Sequence, residues 1–334
     1  MSFYFQGDTA DEVYTEAFSQ IQTSGLETQS RNGNTSELLH SVLSLKNSRQ
    51  RLITTRKPTV SLAYAFAELI QLMAGNDEAR VINPWNPALP KYQGEYNRYP
   101  GSYGYRLRHS FGFNQLERTY DTLKYKPISR QGVVQIWDPA TDLPQRHGEP
   151  NNMDIPCSIC SLLKIRNNKL YWTQVIRSND IFRGFPYNLL LFTTLQEIFS
   201  GWLQIDVGEY LHVSDSLHMY ESEKCSLQNK IETSENNDDL RLNKKESDEV
   251  FEELFVKMNE LSSSSNIDRL VRDITLQCSV PMAYHNMLMV LCIYSIFKNG
   301  TDKSLIHHCS EECSNKLYIE LMNRWMCERE GKSI

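Results

Sequence analysis

Cys157, in the run Ile155-Pro156-Cys157, is a thiol at the junction of a loop and a stretch of strand-forming residues. A thiolate there can add to an electron-poor carbon if a cation such as Arg177 lowers its pKa. The alternative role is a small buried apolar side chain. Arg177-Ser178, and Arg130 in Ser129-Arg130-Gln131, can clamp a phosphate through bidentate hydrogen bonds or serve in surface ion pairs. Asp180 and Asn188 stand on either side of Gly184-Phe185-Pro186. An asparagine donates and accepts at once, so it matches the O4/N3–H edge of a uracil, whereas an aspartate suits the amino group of cytosine. Both residue types are also common turn caps. His218 and Tyr220 are two apart on an extended segment, share a face and can bind a ribose hydroxyl. Glu68 interrupts the apolar run 63–73, where a carboxylate is costly unless paired or functional, and is a candidate general acid/base. Together these groups suit covalent chemistry on a nucleotide. Cys157 and Cys160 also form a C-x-x-C. The other pair a zinc site needs, from His307, His308, Cys309 and Cys313, lies on a distant helical segment, and no metal is expected.

Three regions must position these groups. In the first, residues 8–21 read as a helix capped by Asp8, with Val13, Phe18 and Ile21 on its apolar stripe, and 61–73 as a second helix ending near Gly75. In the second, residues 132–137, 158–165 and 170–176 carry strand formers, with a hairpin turn at Asn167-Asn168-Lys169, and 189–199 is a buried helix. Residues 222–247 are polar and charged and read as a loop or linker. Beyond it, 251–261, 267–274 and 281–297 repeat apolar residues at helical spacing, a small bundle. The chain thus divides into 1–223, a linker 224–248 and a helical region 249–334, with strands in the middle and helices at both ends: an α/β protein.

The 334 residues carry a net charge of -6, which excludes a broad nucleic-acid surface and leaves room for a local cationic pocket. The longest apolar run, 287–297, is shorter than the ~20 residues of a membrane span. Residues 1–8 have neither the basic nor the apolar part of a secretory signal. The expected location is the cytoplasm, with the eight cysteines as reduced thiols.

In order and spacing, the motifs resemble the thymidylate synthase superfamily, which includes the pyrimidine nucleotide hydroxymethylases. Phe66-Ala67-Glu68-Leu69 resembles its catalytic glutamate helix, Ser102-Tyr103-Gly104 its tyrosine turn and Pro156-Cys157 its nucleophile motif. Arg177-Ser178-Asn179-Asp180, Gly184-Phe185-Pro186-Tyr187-Asn188 and His218-Met219-Tyr220 resemble its nucleotide-binding segments, and Arg31 its mobile phosphate-binding arginine. The resemblance runs from about residue 31 to 221. It implies a large mixed sheet packed against its mate in a homodimer, with Arg130 reaching the partner's phosphate site. It further implies that Cys157 adds to carbon 6 of a pyrimidine nucleoside monophosphate, that carbon 5 attacks the one-carbon unit of 5,10-methylenetetrahydrofolate, and that Glu68, Tyr103 and Asp180 serve the catalysis.

The departures from the family pattern bear on the subfamily. Ser158 follows the cysteine where thymidylate synthases carry histidine, Gln131 replaces a second arginine, Ile176 a glutamine and Ser216 an aspartate. No motif beyond Glu221 matches the family's folate-closing C-terminus. These features favour 5-hydroxymethylation over methylation of dUMP to dTMP. Asn188 points to uracil, because cytidylate hydroxymethylases carry aspartate there. A catalytically silent nucleotide-binding protein is the third reading, and retention of Cys157, Glu68, Tyr103 and Arg177 together argues against it.

Overall fold

The computed structural model describes residues 2–30, 33–145, 148–223, 226–232 and 235–331. Its centre is a seven-stranded mixed sheet. Six strands follow the order Phe3–Gly7, Gly33–Leu45, Asp206–Tyr220, Lys169–Asp180, Ser158–Arg166 and Gly132–Gln135. The seventh, Leu26–Ser30, pairs antiparallel with Gly33–Leu45. Phe3–Gly7 runs parallel to Gly33–Leu45, and Lys169–Asp180 parallel to Asp206–Tyr220. The N-terminal region therefore supplies three strands as well as helices, a correction to the expected order. The expected hairpin forms: Arg166 pairs with Lys169, and Asn167 and Asn168 both hold positive φ, 50° and 56°, as a two-residue turn of this hand requires.

The first helix is Ala10–Ser24, and Thr9 rather than Asp8 caps it. Thr9 accepts from the Glu12 N–H at 3.4 Å while Glu12 accepts the Asp8 N–H at 2.8 Å, so the two orphan donors are satisfied reciprocally. This helix and Phe185–Leu203 cover one sheet face. On that face Trp172, Gln174, Ile176, Tyr210 and His212 are buried. On the other, Val42, Val175 and Val213 lie across from one another and, with Leu162 and Leu211, remain half-exposed in the single chain.

Helix Leu62–Met73 is capped by Ser61, and each of its residues except Glu68 is buried. A helix that is apolar all round needs cover on every side. Helix Phe185–Leu203 lies on one side of it, and the C-terminal helices Lys244–Ser263, Met282–Asn299 and Lys316–Arg329 pack on others. Phe66 meets Tyr318 at 5.1 Å between ring centroids. Full burial of a Phe66 or Leu69 side chain stabilises the fold by about 1.5–3 kcal/mol. The C-terminal helices, which also include Ile267–Gln277 and Ser304–Glu312, share one apolar core with the sheet layer.

The described residues of the polar stretch before these helices hold a two-residue strand, Ser226–Leu227, and then run without regular structure to the Asn243 cap. They are nonetheless pinned. Asp238 accepts from Asn286 at 2.7 Å and Asn315 at 2.9 Å. Leu240 donates its N–H to Glu197, and the Tyr284 hydroxyl donates to the Leu240 carbonyl at 2.7 Å. The stretch crosses helix Phe185–Leu203 at Gly201, where a Cβ would stand 2.6 Å from the Arg241 Cα. Glu197, wholly buried, also pairs with Arg51 and Arg49.

Glu197→Ala would leave two guanidiniums uncompensated and a backbone N–H unbonded. The expected loss is about 3–5 kcal/mol of unfolding free energy in urea. A loss below about 1 kcal/mol would contradict the place given to this ion pair.

Candidate active site

Cys157 is the last residue before strand Ser158–Arg166 and is half-buried. Its carbonyl accepts the Arg177 N–H at 2.9 Å, so the antiparallel ladder itself sets nucleophile beside cation. The Arg177 Nε donates to the Pro156 carbonyl at 3.0 Å and its Nη2 to that of Ile155 at 3.4 Å. Its guanidinium also lies 5.0 Å from the Trp137 ring centroid. Arg177 thus ties down the nucleophile loop and keeps Nη1 without a partner among the described residues. Burial pushes the Cys157 thiol up, Arg177 pulls it down, and Asp154 and Asp180 push it up again. Arg177 thus acts in the direction a nucleophilic thiol needs, and burial outweighs it.

Tyr103 lies in the short helix Tyr103–Tyr105, and its ring stacks on Phe192 at 6.0 Å. Gly104 lets this turn approach the glutamate helix, because a Cβ there would stand 2.6 Å from the Leu72 Cα. The turn is braced by Arg106, whose two Nη atoms grip the Asp142 carboxylate at 2.6 and 2.8 Å. Burial raises the Tyr103 hydroxyl, the charges of Cys157 and Glu68 raise it further, and the Ser158 N–H opposes them. Glu68 is pushed up to about 7 by burial, against a hydrogen bond from Tyr64. A carboxyl at that value is divided between acid and base forms at neutral pH, as proton transfer in both directions requires.

Strand pairing builds the rest. Asp180 faces His218, and Ser178 faces Ser216. The Asp180 Oδ1 accepts the N–H groups of Phe182 at 2.8 Å and Arg183 at 3.0 Å, while Oδ2 is buried without a hydrogen-bond partner among the described residues. One oxygen thus caps the turn, and the other lies 4.0 Å from the Arg183 Nε. The His218 and Tyr220 rings meet edge-on at 5.5 Å, the shared face read from their spacing. Asn188 donates its Nδ2 to the Asn179 Oδ1 at 3.4 Å, and Asn179 donates to Ser214 at 3.0 Å.

The fold therefore gathers Cys157, Glu68, Tyr103, Arg177 and Asp180 in one cluster, with His218 and Tyr220 beside Asp180 and Asn188 joined to it through Asn179. Arg31 lies outside the described residues. Arg130 is exposed and stands apart: Gly132 pairs with Leu163, six residues along the strand from Cys157. That separation is about 20 Å at ~3.3 Å per residue. Among the described residues no group of three His, Cys, Asp or Glu converges as a metal site, and no helix is long and apolar enough to cross a membrane.

Sequence reasoning missed four contributors. Tyr64 donates to Glu68, four residues on. Arg183 pairs with Glu223 and lies 4.6 Å from the Tyr92 ring and 5.6 Å from the Tyr220 ring, at the edge of the cluster. His212 contacts Asn179 through Nε2 at 2.7 Å, and its ring is held down at about 3 by burial. It is thus neutral, accepts from Asn179, and turns its Nδ1–H to the Tyr210 hydroxyl at 3.0 Å. The alternation Tyr210, His212, Ser214 along one strand face was the available signal. Asp154 is buried, accepts the Gly101 N–H at 2.7 Å, and is pushed up to about 6, chiefly by burial. Its signal was an acid between Met153 and Ile155.

A cleft of about 590 Å³ lies elsewhere, between Tyr120, Trp202 and Lys244. Its lysines pair with its own acids, Lys244 with Asp248 at 2.8 Å and Lys245 with Glu249 at 3.6 Å. The titratable groups with chemistry to do are those around Cys157.

The sequence model of the family described as "Thymidylate synthase" matches residues 12–266, running past Glu221, where the motif resemblance ends. The deoxyuridylate hydroxymethyltransferase of Bacillus phage SP01 is 27% identical over 65% of this chain and 59% of its own length. That of Pseudomonas phage M6 is 25% identical over 63% and 59%. This chain thus spans about three-fifths of the length of these two relatives. The thymidylate synthase of Francisella philomiragia is 26% identical over 51% of this chain and 64% of its own. The crystal structure of thymidylate synthase from T4 phage has the same fold, at a TM-score of 0.53 and 24% identity, over 63% of this chain and 77% of that one.

The like charge of Asp154 opposes thiolate formation at Cys157. Asp154→Asn keeps an oxygen for the Gly101 N–H and removes the charge, so the thiol pKa should fall. Alkylation of Cys157 by iodoacetamide at pH 8, followed by peptide mass, should quicken roughly three- to ten-fold. An unchanged or slower rate would refute the electrostatic link.

Proposed function

The chain belongs to the thymidylate synthase family, and from that premise we propose that it transfers a one-carbon unit to carbon 5 of a pyrimidine nucleoside monophosphate, with deoxyuridylate as substrate and a 5-hydroxymethyl group as product. The observation that carries this reading is the single cluster of a thiol, a half-buried carboxyl near 7 and a half-buried tyrosine beside a fixed amide.

Cys157 adds to carbon 6: the sulfur pair forms the new bond, and the pair of the C5–C6 double bond moves toward O4. Asn188 is suited to that moment. The relay from Tyr210 through His212 and Asn179 fixes the direction of its amide. Its Oδ1 and second Nδ2–H then face outward, an acceptor for N3–H and a donor for the developing oxyanion at O4. Arg177 and Ser178 take the phosphate, and His218 and Tyr220 the sugar.

The residues fit a folate. Tyr92 and Tyr220 flank Arg183 at the edge of the cluster, and a folate would meet these rings while its anionic tail displaced Glu223 from the guanidinium. Bound 5,10-methylenetetrahydrofolate supplies the one-carbon unit. Glu68, with Tyr103, would take the carbon 5 proton, pass it to the departing folate nitrogen and then take a proton from the water that becomes the hydroxyl, and expulsion of Cys157 as thiolate would restore the C5–C6 double bond. Methylation to dTMP is the second reading, favoured by the likeness to the Francisella enzyme.

A homodimer completes the phosphate site. Val42, Val175, Val213, Leu162 and Leu211 give the open sheet face an apolar surface to bury. Tyr125 and Ile128 are 77% and 84% exposed beside Arg130. In such a dimer Arg130 would join the partner's Arg177 at the phosphate. Cytoplasmic location fits a nucleotide-metabolising enzyme.

Purified chain with methylenetetrahydrofolate and, separately, dUMP, UMP, dCMP and CMP should add CH2O to dUMP. A gain of CH2 with dihydrofolate release would replace the first reading by the second. Binding without product from any of the four would sink both. Cys157→Ala should abolish product. Mixed with Arg130→Ala chains, themselves weakened, it should restore about a quarter of wild-type activity, because half of the random dimers carry one intact site. No restoration would exclude Arg130 acting in trans.

A further inference from the structure

We propose that Tyr64 is a positioning residue for Glu68, holding one carboxylate oxygen so that the other faces the substrate, and that Tyr187 couples this hold to the helix that carries Asn188. The proposal rests on the reading of Glu68 as the acid/base of the site. The Tyr64 hydroxyl donates to the Glu68 Oε1 at 3.1 Å across one helical turn. The Glu68 Oε2 accepts no hydrogen bond from a described residue. Tyr64 is only 7% exposed, so its hydroxyl has little water to turn to.

Tyr64 is itself held. Its ring meets that of Tyr187 edge-on, with centroids 4.9 Å apart and planes at 71°. The Tyr187 hydroxyl accepts the N–H of Ser61, the residue that caps the glutamate helix. Tyr187 directly precedes Asn188 in the first turn of helix Phe185–Leu203. A displacement of the Asn188 turn would therefore be felt first by the cap of the glutamate helix and the ring of Tyr64, and then by the carboxyl. Base recognition and proton transfer are joined by two tyrosines with ordinary van der Waals and hydrogen-bond contacts.

The titratable groups facing the Glu68 carboxyl are Tyr64 on its own helix and Tyr103 on the turn packed against it. Burial raises the carboxyl and the Tyr64 bond lowers it. The hydrogen bond favours the ionised form, so removing it raises the titration midpoint.

Tyr64→Phe keeps the ring contact and deletes the hydroxyl, which donates to Glu68 and accepts from the Asn86 side chain. In the full-length chain labelled with ¹³C at glutamate Cδ, the Glu68 resonance is assigned by its loss in Glu68→Gln. Its midpoint should move up by roughly 0.4–1 pH unit, the equivalent of one net hydrogen bond. In turnover, kcat should fall while KM for the nucleotide holds, with the limb due to Glu68 moved up by the same amount. Tyr187→Phe should move the midpoint less. An unmoved or lowered midpoint in Tyr64→Phe overturns the proposal. Because the titration needs no substrate, it can succeed where the assay of nucleotides fails, which separates this inference from the proposed activity.

Discussion

The structure depends on the cover given to one helix. Leu62–Met73 is apolar on nearly all sides, broken only by Glu68 and by Gln71, which is buried and donates to the Glu78 carbonyl. Such a helix is stable only where neighbours remove every face from water. The sheet layer supplies part of that cover through helix Phe185–Leu203, and the C-terminal helices supply the rest. Those helices are therefore not an accessory to the catalytic fold. They hold in place the helix that carries the carboxyl, and the carboxyl's own burial, beside Tyr64 and Tyr103, brings it to about 7.

The same low dielectric acts on the other groups with different results. Tyr103, Cys157 and Asp154 are all pushed toward their neutral forms by burial. His212 is pushed the same way, and there the neutral form is what the site needs: only a neutral ring can accept from Asn179 and so orient the amide of Asn188. The thiol needs the opposite. A raised thiol gains little as a nucleophile until a further cation arrives or a carboxylate is neutralised. The free chain holds Arg177 alone against Asp154 and Asp180, so a further cation brought to the site would favour the thiolate.

The helices of strong periodicity were legible in the sequence, and so were the strands 132–135, 158–166 and 169–180 with their asparagine turn. Strand Gly33–Leu45 was not. Its first half, Gly33-Asn34-Thr35-Ser36-Glu37, is polar, and it is a strand because Asp206–Tyr220, far along the chain, lies beside it. Helix Ser304–Glu312 was legible only as a helical segment without bounds: His307 and His308 are solvent-facing, and its few buried residues, Leu305 and Cys309, give a weak stripe. In the site, residues that meet substrate stood out by type, whereas those that hold them did not. Tyr64 and Asp154 look like core and loop residues until tertiary contact places one on Glu68 and the other on Gly101.

This division has a physical basis. Groups that react must carry a rare chemical type, a thiol, a guanidinium or a carboxyl, and type is visible in a sequence. Groups that position need only a donor or acceptor at the right distance, which serine, asparagine, tyrosine and the backbone all provide. Here the backbone does the decisive part: the Arg177 N–H on the Cys157 carbonyl, and the pairing of Asp180 with His218, fix four of the site's side chains by strand register alone. A slip of one residue along that ladder would turn those side chains to the opposite face. The hairpin at Asn167-Asn168 sets the register of the two strands through its two positive-φ residues, and the irregularity between Ser158 and Cys160 shifts it by one residue to bring Cys157 against Arg177, so a turn and a bulge with no chemistry of their own determine the chemistry at the far end of the strands.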